Sequence, residues 1–433
     1  MSTEVLAEQC ATPTVRSRST AQARRSDLLG NAAALIIPML LFMEVKLVGR
    51  LFLSEILLLC MLPLLLIARG RLLFAPLPRK LFFFGLAWLW AQILTDFIRD
   101  TPFDDWSRGW SKIIFLLLNF STIYLLLNGK AKRFFLFAVG IALGQILIYL
   151  FNPNIYAEGL PWKFGYGLAL TLFVVLASQI RIVARRTYWS ATFIFGVGAL
   201  NFYMGFRSLG LICLLTAAFV LVKQSNLLRL RRMKLSKVTL LILLGGVVIY
   251  GITELYEYSA SEGWLGNKAR DEYLVQSAGD MGILLGGRTE ILASAQAVID
   301  SPIIGHGSWA KDPKYVDIME NTLLQHGYEI QGEIESDLIP THSYIMGAWV
   351  ESGFVGAIFW IWVLVLAART LIATYGTNST LTPLIAFVAF NLLWNIPFSP
   401  FGAEARLYVA YDLSLMMFAL TLPKSSMTKK GMT

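Results

Sequence analysis

The chain has 433 residues, of which 56% are apolar and 15% charged, and its mean hydropathy is +0.61. A soluble domain of this length would not stay dissolved with that balance, so the bilayer is the expected solvent. The formal charge of +9 does not point to nucleic acid, because the basic residues sit in short clusters between long apolar runs, the pattern that flanks membrane spans.

Residues 1–27 are polar, rich in Ser, Thr and Arg, and without apolar periodicity, which predicts a disordered cytoplasmic tail. No small-residue cleavage site follows the first apolar run, so a secretory signal is not expected. The Arg24–Arg25 pair reads as positive-inside anchoring in preference to a twin-arginine signal. Runs able to cross about 30 Å of hydrocarbon lie at 28–43, 51–68, 81–98, 110–128, 133–151, 164–181, 188–206, 208–223 and 238–253, nine spans filling 28–253. Residues 254–342 form one long loop, three further spans at 343–368, 381–397 and 405–422 occupy 343–422, and 423–433 is a second tail. Alternating sides through twelve spans places 24 of the 37 lysines and arginines on one side, together with only Glu4, Glu8 and Asp27 of the 28 acids. A basic excess on short loops assigns that side to the cytoplasm, and an odd number of spans would scramble it. The expected fold is an all-α integral membrane protein of about twelve transmembrane helices, with both termini cytoplasmic and one large helical loop on the periplasmic side.

Most connections are short, so a loop of nearly ninety residues is expected to carry function. Between Arg288 and Ile299, the residues Ile291, Leu292, Ala295, Val298 and Ile299 share one helical face, and Pro302 and Gly305 end the helix. A second helical stretch runs from Pro313 to His326, followed by the acids Glu329, Glu333, Glu335 and Asp337, which could form a hard-cation site. The three histidines match no metal-ligand spacing, and Cys10, Cys60 and Cys213 lie in the tail and in two spans, so neither a cysteine metal site nor a disulfide framework is implied. The sequence holds no internal repeat.

Three local patterns could carry chemistry. Gly-Phe-Arg-Ser-Leu-Gly at 205–210 puts Arg207 at the outer end of a span, where it reads on its own as a snorkelling arginine. Gly-Gly-Arg at 286–288 opens the amphipathic helix, and Arg288 in a first turn would seat phosphate oxygens or simply pair with an acid. Pro-Thr-His-Ser at 340–343 opens the tenth span; Thr341 is the expected N-cap, placing His342 in the first turn at the water boundary, where it can exchange protons or be structural. Glu351 lies nine residues on, more than two turns deeper, either as a functional ionisable group or as one half of an ion pair with a neighbouring span.

Together with Ser-Pro-Ile-Ile-Gly-His-Gly at 301–307, Thr-His-Ser-Tyr at 341–344 and Glu-Ser-Gly-Phe-Val-Gly at 351–356, these features resemble the O-antigen ligase and O-antigen (exopolysaccharide) polymerase superfamily. The resemblance implies a bacterial inner-membrane glycosyltransferase, metal-independent, inverting and without cofactor, acting on the periplasmic face. Its donor would be a glycan on undecaprenyl diphosphate, its acceptor a lipid A core sugar or another glycan, and its neighbours the lipid bilayer and a candidate chain-length regulator, with no nucleic acid. In that setting Arg207 and Arg288 are the candidates to neutralise the leaving diphosphate, and His342 is the candidate base for the acceptor hydroxyl. His306, Glu351 and Arg406 are supporting candidates, with His306 between two glycines also suited to shaping the loop. Ligase and polymerase share these features, and the absence of a marker for a lipid A core acceptor tips the reading toward polymerase. A protein-glycosylating relative would differ in its acceptor. The rival class is a transporter, such as a lipid-linked oligosaccharide flippase, which would be expected to show repeats and a midplane site.

Overall fold

The structure is a computed structural model that describes residues 27–46, 49–180, 188–225, 290–327 and 336–423, with scattered positions between 251 and 277. The expected ninth span, 238–253, therefore lies almost wholly outside the described residues. In chain order the helices are α1 (Asp27–Phe42), α2 (Leu53–Arg69), α3 (Pro76–Ile98), α4 (Phe103–Leu127), α5 (Ala131–Phe151), α6 (Pro161–Ala177), α7 (Trp189–Tyr203) and α8 (Arg207–Gln224). In the C-terminal half follow α9 (Glu290–Asp300), α10 (Pro313–Gln325), α11 (Tyr344–Ser352), α12 (Phe354–Tyr375), α13 (Thr382–Phe398) and α14 (Ala405–Thr421). Among the described residues six helical segments are long and apolar enough to cross a membrane, and α1, α6 and α13 are shorter apolar helices. The protein is thus an all-α membrane protein in its main architecture. A small antiparallel hairpin, β1 (Glu44–Lys46) with β2 (Arg50–Phe52), interrupts the α1–α2 connection, with Lys46 opposite Arg50.

Local signals set the helix ends. α3 starts on Pro76, whose fixed φ suits a first turn. Asp104 and Asp105 in the first turn of α4 complement its dipole, and α4 stops at Asn128 in the left-handed region. The inner layer is α14, α13 and α4: Leu407, Ala410, Tyr411, Leu413 and Met416 are fully or almost fully buried, and α14 packs on α4, α12 and α13. The Tyr411 ring lies parallel to Phe137 at 5.1 Å, and its hydroxyl donates to the Phe134 carbonyl. Leu64, Ile67, Phe83 and Trp90 point outward, as side chains facing acyl chains do.

The helices alternate direction. One end of the bundle, called here the loop face, carries the β-hairpin, the α3–α4, α5–α6 and α7–α8 connections, residues 290–327 and 336–343, and the α13–α14 turn. The expected single span at 343–368 is two helices. The chain breaks at Gly353 (φ 68°, ψ −168°), leaving α11 as a short helix on the loop face while α12 makes the crossing.

Candidate functional site

Residues 301–308 are clamped between the loop-face end of α3 and the α11–α12 break. The His306 and Gly307 amides donate to the carbonyls of Val350 (2.7 Å) and Glu351 (3.1 Å), and the Phe354 amide donates to Pro302 (3.0 Å). A Cβ at Gly353 would stand 1.8 Å from the Ile303 carbonyl oxygen, so only glycine permits this approach. From the other side Thr95 Oγ1 donates to Ile304 (2.6 Å), and Arg99 donates to the Gly305 carbonyl through Nε (3.0 Å) and Nη2 (2.8 Å). Asp96 closes the clamp: its carboxylate accepts from the Ser308 amide (2.6 Å), the Ser308 hydroxyl (2.7 Å) and Trp110 Nε1 (2.7 Å). Asp96→Ala would leave the last two buried donors and the Ser308 amide without their acceptor, each costing about 1–3 kcal/mol. A clearly lowered melting temperature and faster tryptic cleavage at Lys311 and Lys314 are expected, measured on the purified protein.

His306 belongs to this clamp. Its Nε2 is 2.8 Å from the Ala297 carbonyl, so Nε2 carries the proton, and its ring meets Tyr315 edge-on at 5.3 Å. It shapes the loop by joining α9 to α10. Nearby, Lys314, Gln296 and Tyr315 all donate to Asp300 and hold its carboxyl down at about 2, while burial and this carboxylate push the Tyr315 phenol up. What the ionised Asp300 contributes is complete above the ordinary carboxylate value of about 3.9 and is lost as pH falls through about 2, so these bonds persist at physiological pH.

His342 stands just before α11, outside the helix. The N-cap is Ser343 and not Thr341, because Ser343 Oγ accepts from the Met346 amide (3.2 Å) while donating to the Ile396 carbonyl of α13 (2.9 Å). The imidazole is 40% exposed, and its Nδ1 faces Glu290 Oε1 at 3.7 Å. Glu351, expected two turns deeper, lies on the loop-face helix and pairs with Lys112 of α4 at 2.5 Å, both side chains 16% exposed.

Arg207 is the first residue of α8, in a position that the helix dipole disfavours for a cation. The helix N-terminus and the guanidinium there both attract the same kind of partner, an anion. α8 runs antiparallel to α13: Lys223 donates to Thr382 at one end, and the Phe219 and Phe390 rings meet at 6.3 Å midway. The 18 residues of α8 rise about 27 Å, which brings Arg207 to the level of Ile396, where Ser343 is anchored. Arg207 and His342 therefore both lie at the loop-face end of α13. Arg288 lies outside the described residues, as do Gly286, Gly287 and the acids Glu329, Glu333 and Glu335. Among the described residues no cluster of three or more His, Cys, Asp or Glu could hold a metal.

Arg406 is buried in a separate cluster. It donates to Glu55 (2.7 Å) and to the Arg50 carbonyl (2.7 Å) and lies over Phe115, fastening the β-hairpin to α14. Sequence reasoning missed Gln92, Asp96, Lys112, Glu290 and Ser308. A signal was present in α3, where Gln92, Thr95, Asp96 and Arg99 recur at helical spacing as one polar stripe in an apolar span.

The described residues thus define a polytopic helical membrane protein with Arg207, His306, His342 and Glu351 on the loop face. Residues 193–361 match the family model described as O-antigen ligase. The resemblance to that superfamily holds, and the matched region contains Arg207, Arg288, His306, His342 and Glu351 but not Arg406. No curated protein matches the chain.

Proposed function

We propose that the protein is a glycosyltransferase that moves a glycan from polyprenyl diphosphate to a sugar hydroxyl at the loop face, which the basic-residue asymmetry assigns to the periplasm. The observation that carries this reading is the pairing of His342 with Glu290 on the loop face, level with Arg207 at a helix N-terminus. A neutral imidazole with Nδ1–H directed at Glu290 keeps its lone pair on Nε2, which takes the acceptor's proton as the acceptor oxygen attacks the anomeric carbon. The carbon–oxygen bond to the diphosphate breaks with inversion, its electron pair leaves on the phosphate, and Arg207 and Arg288 neutralise that charge. Glu290 then stabilises the imidazolium. The sequence carries no marker for a lipid A core acceptor, which tips this reading toward a second glycan as acceptor and so toward a polymerase.

Guanidinium forks to two phosphate oxygens and ammonium does not, so Arg207→Lys is expected to lower turnover about 100-fold with little change in melting temperature, read with a lipid-linked donor in proteoliposomes. The overall reading is tested by separating polyprenyl-linked glycans, by length and by side of the membrane, in cells lacking the gene or complemented with it. Single repeats accumulating outside support the polymerase, and long polymer stranded on the carrier would mean a ligase. Lipid-linked units trapped inside would mean a flippase and would sink the enzyme reading.

A further inference from the structure

The face opposite the loop holds a cavity of about 1180 Å³ lined by three arginines, Arg69, Arg71 and Arg79. Arg69 is fixed by donating Nη1 to the Leu125 carbonyl at the end of α4 (3.1 Å), which uses one of its five N–H groups. Among the described residues no carboxylate comes within ion-pair distance of these three arginines. Asp27, near enough for its charge to act on Arg69, is engaged by Lys130 and Arg133. Apart from Asn128 the remaining wall is apolar, and parts of it are strongly outward: Ile67 is 87% and Phe74 77% exposed, beside Leu66. Three like charges around one cavity call for an anion, which inorganic phosphate would satisfy while leaving the apolar wall uncovered. A lipid satisfies both, since basic pockets between spans take phosphate head groups and the adjoining apolar surface takes acyl chain.

We propose that this cavity is a binding site for an acidic phospholipid of the leaflet opposite the loop face, its phosphate held by Arg69, Arg71 and Arg79 and its acyl chains lying on Leu66, Ile67 and Phe74. The site is remote from the loop face and independent of the glycan chemistry. To test it, delipidated full-length protein in neutral detergent is mixed with phosphatidylglycerol, phosphatidylcholine or inorganic phosphate, and the bound species are weighed by native mass spectrometry. Wild type is expected to retain phosphatidylglycerol about tenfold or more over phosphatidylcholine, and Arg69→Gln/Arg71→Gln/Arg79→Gln to lose that preference. If the triple variant does not fold, Arg71→Gln and Arg79→Gln singly serve in its place, because neither side chain makes a hydrogen bond among the described residues. Equal retention of the two lipids by wild type, an unchanged preference in the variants, or displacement of phosphatidylglycerol by millimolar phosphate would each overturn the proposal.

Discussion

His342→Ala is expected to lower glycan transfer by about 10²- to 10⁴-fold, the usual contribution of a positioned proton acceptor, while insertion and melting temperature stay at wild-type values. The side chain is 40% exposed and precedes the Ser343 cap, so its removal leaves no core cavity and takes no bond from α11. Glu290→Gln is the companion measurement. It removes the charge facing Nδ1 but not the imidazole, so it should cost less turnover than His342→Ala and shift the acid limb of the pH–rate profile downward, because an imidazolium without its carboxylate neighbour holds its proton less tightly and the neutral base persists to lower pH. A downward shift with reduced turnover identifies Glu290 as the residue that positions and charges the base. Full activity in His342→Ala would remove the base assignment, and a collapse of melting temperature in the same variant would make His342 structural.

The membrane class was legible because composition and charge asymmetry act over the whole chain, and long apolar runs have few alternatives to crossing a bilayer. The break in the expected 343–368 span was not legible from hydropathy, because the short Glu351-Ser352-Gly353 interruption is flanked on both sides by apolar residues that outweigh it over the length of a span. What stops the helix is the tertiary approach of Ile303, fifty residues away in sequence. Capping was misplaced by two residues for a similar reason: Thr341 and Ser343 are near-equal N-caps, and it is Ser343 whose hydroxyl is anchored by the Ile396 carbonyl of α13. The two most diagnostic motifs, 301–307 and 351–356, turn out to be bonded partners of each other. Their glycines and His306 build the clamp that positions the loop, so the chemistry we propose falls outside those two motifs, to Arg207, Arg288, Glu290 and His342.

Gly353→Ala provides the strongest test of that clamp. The new Cβ would meet the Ile303 carbonyl oxygen at 1.8 Å and its carbon at 2.4 Å, and both are backbone atoms with no rotamer to yield. Alanine at φ 68°, ψ −168°, a region open essentially to glycine alone, adds about 1–3 kcal/mol of its own. Moving the 301–308 segment away sacrifices the bonds from His306, Gly307 and Phe354, at about 0.5–1.5 kcal/mol each. The sum is about 2.5–7.5 kcal/mol, enough to undock the loop and with it the Glu290–His342 pair, so melting temperature and transfer should fall together. Gly347→Ala is the control within the same short helix: its Cβ would sit 3.6 Å from Thr341, an ordinary contact, and alanine in a helix interior gains about 0.5–1 kcal/mol over glycine. A Gly347→Ala protein at or above wild-type stability beside a crippled Gly353→Ala protein locates the effect in the close approach of the two motifs. Equal tolerance of the two substitutions, measured by melting temperature and by tryptic cleavage of the loop, would show that residues 301–308 do not hold the loop to the bundle.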